Sequence, residues 1–91
     1  MREDNVHLVV GIVEIGQLMQ FDRVNKSSFV KRNITLKTMT DKLIFAEIRK
    51  MDLLKDIEVG DVVDVKMSFS GSQKGEKRYN NIFINDITKR V

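Results

Sequence analysis

The 91 residues, with sixteen Lys plus Arg against thirteen Asp plus Glu, a net charge of +3 and 42% hydrophobic content, suffice for one small core, so residues 1–91 read as a single domain. No Cys and a single His remove disulfides, thiolate zinc sites and Cys/His or Ser/His nucleophile pairs, so neither a metal nor another cofactor is expected. Apolar runs fall far short of the roughly 18 residues of a membrane span, and the start Met1-Arg2-Glu3-Asp4 carries acids where a signal peptide is basic; the expectation is a soluble, cytoplasmic protein without a membrane partner.

Residues 6–21, VHLVVGIVEIGQLMQF, are rich in Val and Ile without helical spacing, and Gly11 and Gly16 lie inside the run. This predicts one long strand bent at a glycine, apolar on both parities because it serves two sheets. Residues 22–28 are polar and predict a loop. Residues 29–38, FVKRNITLKT, alternate: Val30, Arg32, Ile34 and Leu36 share one face, Phe29, Lys31, Asn33, Thr35 and Lys37 the other. The third strand, residues 42–49, is apolar on both parities, so the pattern leaves its inner face open. Over residues 50–57, Leu53, Leu54 and Ile57 predict a short amphipathic helix or turn whose apolar side covers something. After a turn at Gly60 comes a fourth strand with Val63, Val65, Met67 and Phe69 facing in. A polar connection over residues 70–78 then leads to a fifth strand, YNNIFINDIT, which makes a long hairpin with a mobile basic tip.

Strand, strand, strand, short helix, strand, strand is the chain order of the five-stranded oligonucleotide/oligosaccharide-binding (OB-fold) barrel, in which the helix plugs one end. An all-β barrel of this kind is the predicted fold. It lays its ligand across the outer face of strands two and three, between the loop joining strands one and two and the loop joining strands four and five. The positive charge concentrates in the same places. Residues 23–37 carry five cations and no acid, and residues 66–91 carry six cations against two acids, with an acidic stretch between them. A lysine-rich loop by itself can equally be a solvated edge; convergence of the two blocks on one groove is what would make a site.

The segments FVKRNITLKT, LIFAEIRKMDLLKDIEVGDVVDV and EKRYNNIFINDI resemble bacterial single-stranded DNA-binding proteins and their small single-domain relatives, over roughly residues 6–88. The most specific piece is Glu58-Val59-Gly60-Asp61-Val62-Val63, similar to the family's entry into strand four. The resemblance implies single-stranded DNA as partner, and because one barrel offers a short footprint a homo-oligomer is expected. Members of that family present tryptophans and end in an acidic tail that recruits proteins. This sequence has no Trp and closes on Lys89-Arg90-Val91, so recruitment through such a tail is not implied. The family's aromatic near the end of strand three corresponds approximately to Ile48.

Single-strand binding needs cations to follow phosphates and flat side chains on which bases stack. The candidate residues are Arg23, Lys26, Phe29, Lys31, Asn33, Lys37, Lys74, Lys77, Arg78 and Tyr79. Phe29 is either a stacking platform or part of a subunit seam, and Phe83 reads as seam or core before base contact. His7 reads as a strand residue, the acids of residues 52–64 as solvated, and Glu47 as one carboxylate without a catalytic partner. The leading expectation is a non-enzymatic module for single-stranded DNA of little sequence preference, with RNA as a further possibility. The alternative is a protein-interaction or oligomerisation barrel that binds no nucleic acid.

Overall fold

Period-two alternation of Val and Ile with polar residues is realised in six strands. A computed structural model describes residues 5–24 and 26–90, the side chains of Arg23 and Lys26 excepted. The strands are β1 (Asn5–Ile15), β2 (Met19–Arg23), β3 (Lys26–Thr38), β4 (Leu43–Ile48), β5 (Val62–Lys74) and β6 (Lys77–Lys89), with a 3₁₀ turn at Met51–Leu54. Their order is β1-β5-β6-β4-β3-β2, and β1 also pairs with β3, which closes the sheet. All pairings are antiparallel except that of β4 with β6, a parallel rung at Glu47 and Phe83. With β2 counted as the continuation of β1, this is the five-stranded OB barrel that the chain order predicts.

The single bent strand expected over residues 6–21 is two strands, broken at Gly16. The Gly16 N–H donates to the Asn33 carbonyl at 2.7 Å, and a Cβ on residue 16 would sit 2.9 Å from that same oxygen. Only glycine permits so close an approach. The break lets one run of sequence clasp β3 twice: β1 pairs with its second half, Ile12 opposite Leu36, and β2 with its first, Phe21 opposite Phe29. The polar loop predicted over residues 22–28 is correspondingly shorter, since β3 already begins at Lys26.

Inside the barrel lie Val10, Ile12, Ile34, Leu36, Ala46, Ile48, Val63, Val65, Met67 and Ile84, all buried. Each of the larger ones contributes about 1.5–3 kcal/mol by leaving water. Ala46 and Ile48 settle the inner face of β4, which places Leu43, Phe45 and Glu47 outside. The helix predicted over residues 50–57 shrinks to one 3₁₀ turn. Asp56 takes φ 63°, a left-handed conformation that ends any helix there, and so few residues cannot repay helix nucleation. Leu53, Leu54 and Ile57 nevertheless pack against the end of the core, as their spacing predicts.

The turn before β5 is fixed from two sides. Gly60 takes φ 97° and donates its N–H to the Ile12 carbonyl at 2.8 Å, while the Ile12 N–H donates to the Asp61 carbonyl at 2.9 Å. The Asp61 carboxylate accepts the Glu58 N–H at 2.8 Å and lies 3.4 Å from the Lys89 ammonium. The backbone hydrogen bond foremost, then the lysine, hold its carboxyl below the usual aspartate range.

The long hairpin predicted for the last two strands is present, and its pairing continues through most of the connection expected over residues 70–78. β5 and β6 run on as paired strands to a tight turn at Gly75 and Glu76, with Gly75 at φ 61°. Among the described residues, β1 accompanies β5 as far as Ser68, which faces Asn5. Residues 69–74 and 77–82 therefore form a two-stranded arm beyond the barrel wall. Phe69, predicted to face in, is 52% exposed, with no third strand among the described residues beside it.

Candidate nucleic-acid interface

On β3 the outward residues are Lys31, Asn33, Thr35 and Lys37. Register sets Asn33 opposite Glu47, Thr35 opposite Phe45 and Lys37 opposite Leu43 on β4. Outward neighbours along one strand stand about 6.6–6.8 Å apart, so the two strands offer rows of side chains at intervals a splayed oligonucleotide can follow. The root of the arm supplies a wall. Asn80, Asn81 and Ile82 of β6 line one groove of about 380 Å³ together with Lys31, Asn33, Thr35, Phe45 and Glu47. Phe45, 69% exposed, is its most accessible apolar surface.

Beyond Lys31 the face turns aromatic. The rings of Phe21 and Phe29, brought opposite each other by the β2–β3 register, stack with centroids 5.0 Å apart and planes 16° from parallel. The Lys31 ammonium lies 5.4 Å from the centre of Phe21, and the Arg49 guanidinium 4.5 Å from Phe29 and 5.3 Å from Phe83. Glu47, its side chain only 13% exposed, accepts from Arg49 at 3.1 Å and lies 3.9 Å from Lys31. One acid thus compensates two cations in the middle of the face, where the surface is aromatic and polar, with its positive charge partly neutralised.

The predicted site residues divide accordingly. Lys31 and Asn33 meet Asn80 and Asn81 in the groove, and Phe29 stands beside them in the aromatic column. Lys37 lies at the other end of β3, paired with Asp41 at 3.4 Å. Lys74, Lys77 and Arg78 are exposed at the arm's tip, where they make no ion pair with a described residue. Tyr79, 47% exposed and opposite Ser72, shares a shallow depression on the arm with Arg78 and Asn80. The side chains of Arg23 and Lys26 lie outside the described part of the chain. Ile48, the expected aromatic position, is fully buried.

Sequence reasoning missed Phe45, Phe21 and Arg49. In LIFAEI both parities are apolar, so the outward Phe45 looks like any core residue until the register with β3 is known. For Phe21 the missing signal is the break at Gly16, which turns β2 back along β3.

No protein-family model matches the chain, and no curated protein matches it in sequence. Among solved structures, the mitochondrial single-stranded DNA-binding protein Rim1 of S. cerevisiae superposes with a TM-score of 0.63 over 93% of this chain and 92% of that one, at 13% identity. The two share a fold. At that identity the similarity lies in the path of the backbone.

Proposed function

We propose that this protein is a non-enzymatic module that binds single-stranded DNA with little sequence preference, along the outer face of β3 and β4. The observation that carries the reading is the groove in which Lys31, Asn33 and Phe45 from the barrel wall meet Asn80 and Asn81 from the arm. It combines a stacking surface with hydrogen-bonding groups that suit any base, and the cations exposed at the arm's tip suit the phosphates. The structural neighbour Rim1, a single-stranded DNA-binding protein with the same fold, supports the same reading.

A barrel of this class covers about 4–16 nucleotides, a short footprint, and we propose a homo-oligomer as the working form. From residue 6 to residue 9, β1 is paired, among the described residues, with β5 alone, an edge that suits a second copy. Light scattering behind a sizing column tests the assembly separately from binding.

Tyr79 is the sole tyrosine and there is no tryptophan, so its emission reports on the arm while poly-dT is added. The expected result is saturable quenching, matched by anisotropy of a labelled dT oligonucleotide and weakened in Lys31→Glu/Lys77→Glu. The same titration with rU tests the preference for DNA. Normal assembly with no response to either polymer overturns the proposal in favour of an assembly module.

A further inference from the structure

Arg32 sits where an apolar residue belongs. On the inward parity of β3, between Val30 and Ile34, it lies opposite Ile48, which is fully buried. Its Nε is buried and, among the described residues, has no hydrogen-bond partner, although the residue as a whole is only partly buried, and no ion pair joins Arg32 to any described residue. A guanidinium does not shed its charge at ordinary pH, and a buried charged donor without a partner is costly. Such an arrangement calls for an explanation, and a ligand that compensates it is the most direct one.

The same residue is one wall of a depression of about 360 Å³ at the end of the barrel that the 3₁₀ turn closes. The other walls are Leu18, Met51, Leu54 and Lys55. Two are cations, three are apolar and none is an acid. Lys55, like Arg32, has no ion-pair partner among the described residues. Asp52 and Asp56, on the same turn, are exposed and outside these walls. Because β3 alternates, this depression opens on the opposite parity from the groove of Lys31 and Asn33.

We infer that the depression formed by Arg32, Lys55, Leu18, Met51 and Leu54 is a second binding site, which takes a carboxylate carried beside an apolar side chain. An acidic, leucine-like segment of a partner protein presents that chemistry. Charge complementarity selects the anion and the three apolar walls select what accompanies it. A phosphodiester backbone would satisfy the cations and leave Leu18, Met51 and Leu54 uncovered, so a peptide fits better than a nucleic acid. The inference stands apart from the reading of the β3–β4 face.

The test uses the full chain and N-acetyl-leucine as the probe, followed by amide chemical-shift perturbation. Saturable shifts confined to residues 18, 32 and 51–55 are expected, and N-acetyl-leucinamide, which lacks the carboxylate, should produce none. Arg32→Met should weaken the probe about tenfold or more, as loss of a charge-assisted hydrogen bond does. It should also unfold at a higher temperature than the parent, because a partly buried guanidinium with an unpaired Nε is replaced by an apolar chain of similar length. Affinity for dT should be unchanged. Lys55→Gln, an exposed change that leaves the core untouched, should weaken the probe about threefold and serves if Arg32→Met does not fold. Equal shifts from the amide, unchanged probe affinity in both variants, equally tight binding of inorganic phosphate, or displacement of the probe by dT would each overturn the assignment. The last two would give the cations to nucleic acid.

Discussion

The β5–β6 hairpin is built twice over from one pattern, with opposite results. In its barrel half, Val63, Val65 and Met67 alternate inward and are buried. In its arm half the same ladder continues for six more residues on each strand, from Phe69 opposite Ile82 to Lys74 opposite Lys77, yet Phe69 is half exposed. The hydrogen-bonded register is continuous through the arm, while the barrel half carries one irregularity, between Lys66 and Met67. What differs, among the described residues, is the third strand, which β1 supplies as far as Ser68. Pairing gives a ladder its geometry, whereas burial needs a further layer, and an isolated two-stranded ribbon is at best marginally stable.

Truncation on either side of that boundary should break the hairpin into its two halves. Met67→Ala, a fully buried side chain, should cost about 2–5 kcal/mol in chemical denaturation, while Phe69→Ala should stay within about 1 kcal/mol. Equal losses would mean that the arm is a structural part of the barrel. Amide exchange should agree, with rapid exchange confined to residues 69–82.

The exposed apolar group in the groove gives the next largest effect. Phe45→Ala should reduce dT affinity by about 1–3 kcal/mol and leave the unfolding midpoint nearly in place, since Phe45 is outside the core. A matching loss of stability would return Phe45 to the barrel's architecture. At the arm's tip, Lys77→Gln/Arg78→Gln should lower the slope of log affinity against log salt by about 0.7 for each phosphate contact removed. Binding in low salt would be weaker and folding unaffected. An unchanged slope would show that the tip does not grip the ligand.

The smallest expected effect lies on the barrel side, at Asp61. Its carboxyl is held below the usual aspartate range, chiefly by the Glu58 N–H. The resulting stabilisation is complete above about pH 4, where an unfolded aspartate is ionised, and disappears as pH falls through the lower folded value. Asp61→Asn should therefore be less stable than the parent at neutral pH, and the gap should narrow on acidification. A gap that does not narrow would mean that the hydrogen bond, without the charge, is what matters.

Much of the barrel was legible because burial leaves a period. Val30, Ile34 and Leu36 on β3, and Val63, Val65 and Met67 on β5, announce an inside and an outside, and Leu53, Leu54 and Ile57 announce a cap over the core. The arm was illegible for the complementary reason. SGSQKGEKR has no buried face, so its strands carry no alternation and read as a polar connection at the tip of the hairpin. The site was legible only in part. Lys31 and Asn33 follow from parity alone, whereas Phe45 depends on which face of LIFAEI turns in, and Phe21 on the break at Gly16. Arg32 shows the limit most clearly: the alternation places it inside, but only the folded barrel reveals that its Nε meets no acceptor there.

The closure of the wall is uneven around its circumference. Elsewhere neighbouring strands are laced over several residues, but β4 and β6 meet at the single parallel rung between Glu47 and Phe83. A cylinder stitched at one point along one seam parts there first when it breathes. That stitch lies directly beneath Arg49 and beside the groove, so whatever straddles the seam acts as a staple on the whole shell and should slow its opening.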